Sequence, residues 1–282
     1  MMKPTHHNLK GKVAVVTGGG GVLCGSMAKE LAKHGMKIAI LNYPKEFGDI
    51  TAEAINHDGG EAISVFCDVT KHDVVEEAMN EVVKAFGRVD LLINGAGGNH
   101  PGGSTTNEYY DEADVANEEV RSFFDLTLDG FNHVFNLNLM GTLIPSQVFT
   151  KELLKTKGSI INMSSMSAPS PMTKVPAYSA AKAGIENFTQ WMAVHFGETG
   201  IRVNAIAPGF FLTEQNRQLL TNEDGSYTPR TTKILSQTPM NRLGKPEDLH
   251  GVLLWLADDD YSGFVTGISV PIDGGFMAYS GV

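Results

Sequence analysis

Tyr178 and Lys182 stand four residues apart in Tyr178-Ser179-Ala180-Ala181-Lys182, a spacing that puts both side chains on one face of a helix, a turn from each other. A free phenol, with a pKa of about 10, is a poor proton donor and a poorer base near neutral pH. An ammonium group held close favours the phenolate and draws that pKa toward the working range. The pair therefore suits moving a proton to or from an oxygen atom. Ser165 lies thirteen positions earlier (178 − 165), at the end of the apolar run Gly158–Met163, and Asn138 begins Asn138-Leu139-Met140-Gly141. Each has an ordinary structural role open to it, since a Ser near a strand end often caps a helix and an Asn in a helix can bond backbone.

The segments that must hold these residues alternate between short β-rich runs and longer runs of helical period. Strands are expected at Lys12–Thr17, Lys37–Leu41, Ala62–Cys67, Val89–Asn94, Gly158–Met163, Ile201–Ala207 and Gly267–Ile272, with helices at Val22–His34, around Asp49–His57 and at Val74–Phe86. Near-continuous apolar strands in strand–helix–strand order argue for a parallel sheet covered on both faces. Right-handed crossovers then give an α/β, doubly wound Rossmann fold with a mostly parallel seven-stranded sheet. No Pro-, Gly- or Ser-rich linker and no repeat divides the 282 residues, so residues 1–282 read as a single domain. Two inserted segments, Gly98–Leu128 and Phe210–Met240, leave the carboxyl ends of strands, where such folds bind ligands.

Thr17-Gly18-Gly19-Gly20-Gly21 follows the first strand and opens the first helix. Glycines there let the backbone aim N–H groups at a pyrophosphate, with the helix dipole behind them. Together with the Tyr-x-x-x-Lys pair, this loop resembles that of the short-chain dehydrogenase/reductase family. The family's pattern is Thr-Gly-x-x-x-Gly-x-Gly, and this chain carries Val22 and Cys24 at the two later glycines. The resemblance implies a nicotinamide cofactor, a tetrad of Asn138, Ser165, Tyr178 and Lys182, and hydride transfer to or from a carbonyl carbon. Ser165 rather than Ser164 would bond the reacting oxygen, and the backbone of Asn138 (Asn136 is its rival) would hold a water in a proton relay. Gly18, Gly20, Gly21, Val22 and Leu23 would meet the pyrophosphate side of the cofactor. Asp68 and Val69 would meet the adenine, and Asn94, Ala96 and Gly97 match a turn in which Gly95 replaces an Asn. Pro208, Phe211 and Thr213 would face the nicotinamide, beside Tyr178 and Lys182. At the end of the second strand Asn42 can bond a ribose hydroxyl but offers no strong exclusion of a 2′-phosphate, and no Arg stands ready to clamp one. The reading leans to NAD(H) over NADP(H).

Net charge is −10 (22 basic against 32 acidic residues), without a basic run, which argues against nucleic acid and anionic membranes as partners. No apolar stretch approaches a membrane span, and the first residues lack the apolar region of a secretory signal, so a cytoplasmic location is expected. Cys24 and Cys67 read as two buried thiols of a reducing compartment, and no Cys/His cluster signals a metal. The glycine loop, the second insertion and the ending Asp273–Val282 resemble the branch of the family that interconverts D-fructuronate and D-mannonate. A sugar acid needs a cation fork for its carboxylate and polar groups for its hydroxyls. Lys174, Arg217 and Arg230 are candidates for the first, and Asn99, His100 and Gln215 for the second. Other readings are a polyol or aldonate reductase, such as one acting on 5-ketogluconate, and a nucleotide sensor without chemistry. Helical segments around Asn138–Leu154 and Pro176–Phe196 are apolar on more than one face, and the resemblance implies a subunit interface there and a homotetramer.

Overall fold

The computed structural model describes residues 6–213 and 217–281. Its seven strands are β1 (Val13–Thr17), β2 (Lys37–Asn42), β3 (Glu61–Phe66), β4 (Leu91–Asn94), β5 (Ser159–Met163), β6 (Arg202–Pro208) and β7 (Ser269–Ile272). They form one sheet in the order β3-β2-β1-β4-β5-β6-β7, and every pairing is parallel. The sequence suggested a mostly parallel sheet; β7 completes it without an antiparallel edge.

Alternation along each strand builds the two layers. Ala14, Val16, Ile38, Ile40, Leu91 and Ile93 face one way, where α1 (Val22–Lys33), α2 (Lys45–His57) and α9 (His250–Ala257) bring Met27, Leu31, Ile55 and Leu253 against them. Val13, Val15, Ala39, Leu41, Leu92 and Ile160 face the other way. There α3 (His72–Phe86), α5 (Gly141–Thr156) and α6 (Pro176–His195) bring Val75, Val82, Phe149, Leu153 and Met192. Helix α2 begins four residues before its expected start, with Pro44 as its N-cap and Lys45 paired to Asp49 one turn on at 2.5 Å.

Order reverses between β1 and β4, which diverge from each other at Thr17 and Asn94, and the crevice there opens at the carboxyl ends. The first insertion follows β4 and holds three 3₁₀ turns (Pro101–Gly103, Glu112–Ala116, Phe123–Asp125) before α4 (Leu128–Phe135). The second follows β6 and contains α7 (Arg217–Leu220) and α8 (Pro229–Ser236). A last short helix, α10 (Asp259–Ser262), carries Asp259, which with Ser262 holds the buried Arg202 guanidinium at 2.6 and 3.1 Å. That residue braces the start of β6 against α10. Both cysteines are free and buried. Among the described residues no helix is long and apolar enough to cross a membrane.

Candidate active site

Helix α6 opens with Pro176 in its first turn, where the missing N–H costs nothing. It presents Tyr178 and Lys182 on one face, the Lys Nζ lying 5.5 Å from the centre of the Tyr ring. Beside them the chain leaving β5 is pinned to β6: Ser164 N–H donates to Ile206 O (2.8 Å) and Met166 N–H to Pro208 O (3.1 Å). Ser164 Oγ donates to Glu186 at 3.0 Å, and both Ser164 and Ser165 line a cleft with Tyr178.

Burial dominates the electrostatics. Desolvation pushes the Tyr178 phenol above its ordinary value, and the bond from Ser165 pulls it partly back. Lys182 is almost fully buried, and its ammonium is pushed down to about 8 by the same effect. Its Nζ donates to Met163 O at 2.8 Å. The sequence suggested an ammonium that draws the phenol down; here low dielectric favours the neutral form of each partner instead. Such a phenol is poised as a proton donor.

Asn138 is fully buried in a π-helical turn (Asn136–Met140) between α4 and α5, a local widening often found at functional sites. Its amide donates to Gly98 O (2.7 Å) and Val134 O (2.8 Å) and accepts from Gly98 N–H (3.3 Å). It thus ties the strand-four loop to the helix that faces Lys182. Asn136, its rival, has no such bonds among those recorded for the described residues.

Two clefts meet at this point. One, of about 280 Å³, is lined by Ser165, Tyr178, Lys182, Pro208, Gly97, Gly98 and Phe210, with Met166 and Met172. The other, of about 500 Å³, shares Leu23, Cys24, Gly95 and Gly97 with it and runs past Gly18, Gly20, Gly21, Val22, Asn42, Asp68, Val69 and Ala96. Helix α1 starts on this second cleft at Gly21 with no side-chain cap, leaving first-turn N–H groups directed outward. A dinucleotide fits such a groove, its anionic centre at those donors and its far end toward Tyr178.

Not every expected contact is placed on the clefts. Asn94 is buried, its amide donating to Ser146 (2.9 Å) and Asn162 (2.8 Å) on the helix side of the sheet. Asn42 reaches the cleft, but its amide already accepts from Gly20 N–H (3.0 Å) and donates to Pro44 O (2.7 Å), so its first task is to hold the glycine loop. Asp68 accepts from Thr70 N–H and hydroxyl at 3.0 and 2.7 Å. Phe211 turns away: it pairs with Gly244 and lines a separate cavity of about 350 Å³ with Arg242 and Asp248. Thr213 lies just beyond it. Phe210, Met166 and Met172 take the lining position instead, and no sequence pattern singled them out.

The departures from the family's glycine pattern are physically linked. A Cβ at Gly95 would overlap Cys24 Sγ, so the Cys that replaces a loop glycine occupies the room left where an Asn is replaced by Gly. Gly18 has a φ of +65°, and a Cβ there would come within 2.9 Å of the Ala96 backbone.

The expected substrate groups stand outside this lining. Asn99 bonds Ser104 (3.0 Å), and His100 caps a 3₁₀ turn by accepting from Gly102 N–H (3.0 Å). Arg217 opens α7 with its side chain exposed. Gln215 lies outside the described residues. Lys174 and Arg230 act on the same carboxylate: Lys233 hydrogen-bonds Glu108 of the first insertion, and with Lys174 and Arg230 it holds that carboxyl below its usual range. Thr105 N–H donates to Lys174 O at 3.0 Å, so both insertions are tied to the loop before Tyr178.

Over residues 23–277 the chain matches the family model described as enoyl-(acyl carrier protein) reductase. It is 62% identical over 282 residues, the full length of both chains, to UxuB, an uncharacterized oxidoreductase of Bacillus subtilis. An uncharacterized oxidoreductase of Haemophilus influenzae is 50% identical over 278 residues, 98% of this chain and 97% of the relative. A solved structure, of a provisionally named D-mannonate oxidoreductase from Haemophilus influenza with bound NAD, is 49% identical and superposes with a TM-score of 0.94 over 99% of both chains.

Proposed function

Because the chain belongs to the short-chain dehydrogenase/reductase family, we propose that it interconverts D-fructuronate and D-mannonate with NAD(H), Tyr178 moving the proton. Oxidoreductase chemistry with a nicotinamide cofactor is common ground for the family. The observation that carries the rest is Ser165, Tyr178 and Lys182 lining one cleft that opens into the glycine-floored groove at the head of α1. When bound, the nicotinamide supplies or takes up the hydride.

In reduction Tyr178 gives its proton to the oxygen that gains charge, and Ser165 stabilises that charge by donating a hydrogen bond. Lys182, anchored on Met163 O, holds the ribose side of the groove and the electrostatics of the phenol. Asn138 braces the loop from Gly97 to Gly98. Reversal gives oxidation of the alcohol.

NAD over NADP is supported by the end of β2. Asn42 and Pro44 are engaged with each other, and Lys45 is paired with Asp49, which leaves a 2′-phosphate without a ready cation there. The bound NAD of the Haemophilus structure points the same way. Recognition of the sugar acid falls to the cations Lys174 and Arg230, which act on the same Glu108 carboxylate, with Arg217 as a further cation and Asn99, His100 and Gln215 as the hydroxyl-binding candidates.

A homotetramer is the proposed assembly, supported by the exposed apolar face of α5 and α6. A neutral polyol is the second reading, favoured by a cleft lining in which Lys182 is the one cation among the described residues. The deciding assay follows reduced-cofactor absorbance with D-fructuronate against 5-ketogluconate, neutral keto-sugars and a steroid ketone. Preference for the uronate supports the first reading, and exclusive turnover of the apolar ketone overturns it.

A further inference from the structure

Ser165 does not stand alone. Its Oγ accepts a hydrogen bond from the backbone N–H of Ser167 (3.1 Å) and another from the Ser167 hydroxyl (3.0 Å). Both serines are almost wholly buried, at 6% and 1% exposure, so water does not compete for these bonds. A serine hydroxyl has two acceptor sites and one proton to donate. With both acceptor sites filled by Ser167, the Ser165 proton is left for the cleft that it lines with Tyr178, where a bond from Ser165 lowers the phenol.

We propose that Ser167 is a positioning residue that fixes the polarity of the relay, Ser167 to Ser165 to Tyr178, so that Ser165 acts only as a donor at the reacting oxygen. The proposal rests on the reading of Ser165 and Tyr178 as the proton-moving pair. Without the Ser167 hydroxyl one acceptor site on Ser165 empties, its O–H is free to rotate, and donation to Tyr178 becomes intermittent. A donated bond favours the phenolate, so its weakening makes the phenolate harder to form.

The consequence falls on alcohol oxidation, which needs the phenolate as base. Ser167→Ala should lower kcat about tenfold with KM little changed. The alkaline rise of the rate profile should move upward by about half a pH unit or more. The measurement is the pH–rate profile of NAD reduction with D-mannonate, or with the best polyol of the panel if D-mannonate is not turned over. It is run for wild type, Ser167→Ala, Ser165→Ala and the double variant. Because Ser167 acts through Ser165, its removal should cost nothing more once Ser165 is alanine.

An unmoved profile, or an equal loss in both backgrounds, overturns the inference. Turnover that survives both Ser165→Ala and Tyr178→Phe overturns the underlying reading instead. Ser167→Cys keeps the shape with a weaker donor, and reads the same profile should the alanine variant not be recovered.

Discussion

The strongest residue-scale expectation concerns Tyr178. Replacing it with Phe removes the donor and leaves the cleft's shape, so cofactor affinity by calorimetry should hold while turnover falls by about a thousandfold or more. Lys182 carries a second and less obvious one. Its ammonium is buried and pushed down to about 8 from an ordinary 10.5, so the folded state holds its proton less tightly than the unfolded chain. Below pH 8 both states are charged and folding bears the full desolvation cost. From 8 to 10.5 the folded amine releases its proton first, and the cost fades. Lys182→Met should therefore abolish turnover yet raise the melting temperature at pH 7 by about 3 °C, a gain that shrinks as pH climbs past 8. A lower melting point at pH 7 would mean that the bond to Met163 O outweighs the burial of charge. Cys24 and Gly95 form a coupled pair. Gly95→Ala drives a methyl into Cys24 Sγ and should destabilise by about 2 kcal/mol in urea unfolding. Added to Cys24→Gly, the same change should show a coupling of about 1 kcal/mol or more.

At the scale of elements, the two insertions meet through Lys233 of α8 and Glu108. Both are surface residues, so breaking the pair should leave the melting temperature within about 1 °C. Its effect belongs to binding: Glu108 is a carboxylate of the protein that already engages Lys233, with Lys174 and Arg230 nearby in the field. Glu108→Gln should lower KM for an anionic sugar acid severalfold at low salt, with the advantage fading at high salt and absent for a neutral keto-sugar. The same region shows where reading residues from sequence stops. The sheet was legible because short, near-continuous apolar runs recur between segments of helical period. The Tyr178–Lys182 pair was legible because helical spacing alone puts it on one face. Asn94 and Phe211 were not placed by pattern, since which side of a strand end or loop a side chain takes depends on partners such as Ser146, Asn162 and Gly244 from distant segments. The lining by Met166, Met172 and Phe210 was hidden for the same reason. Cys24 and Gly95, by contrast, were visible as two departures from the family pattern, and only the fold shows them to be one event.

For the molecule as a whole, the sheet is covered on both faces, yet the outer side of α5 and α6 is not. Leu154, Trp191 and Val194 are 44%, 55% and 85% exposed, and a groove of about 670 Å³ runs between Leu143, Gln147 and Phe188. Trp191 stacks on His195 and lies near-parallel to Phe188, which makes a rigid apolar shelf rather than a loose surface. A chain with ten excess negative charges repels its own copies at long range, so the homotetramer proposed above would draw on apolar burial at the centre of this face. It follows that higher salt should strengthen the assembly, the reverse of an interface held by opposite charges. The shelf also shares α6 with Tyr178 and Lys182, and seating it against a second copy would stiffen the helix that carries the chemistry. Trp191→Asp should therefore give a smaller species by light scattering, with an unchanged far-ultraviolet spectrum and a specific activity reduced about tenfold. Wild type diluted to the same dissociated state should lose activity in parallel. An active Trp191→Asp variant of unchanged mass would overturn the subunit contact proposed for this face.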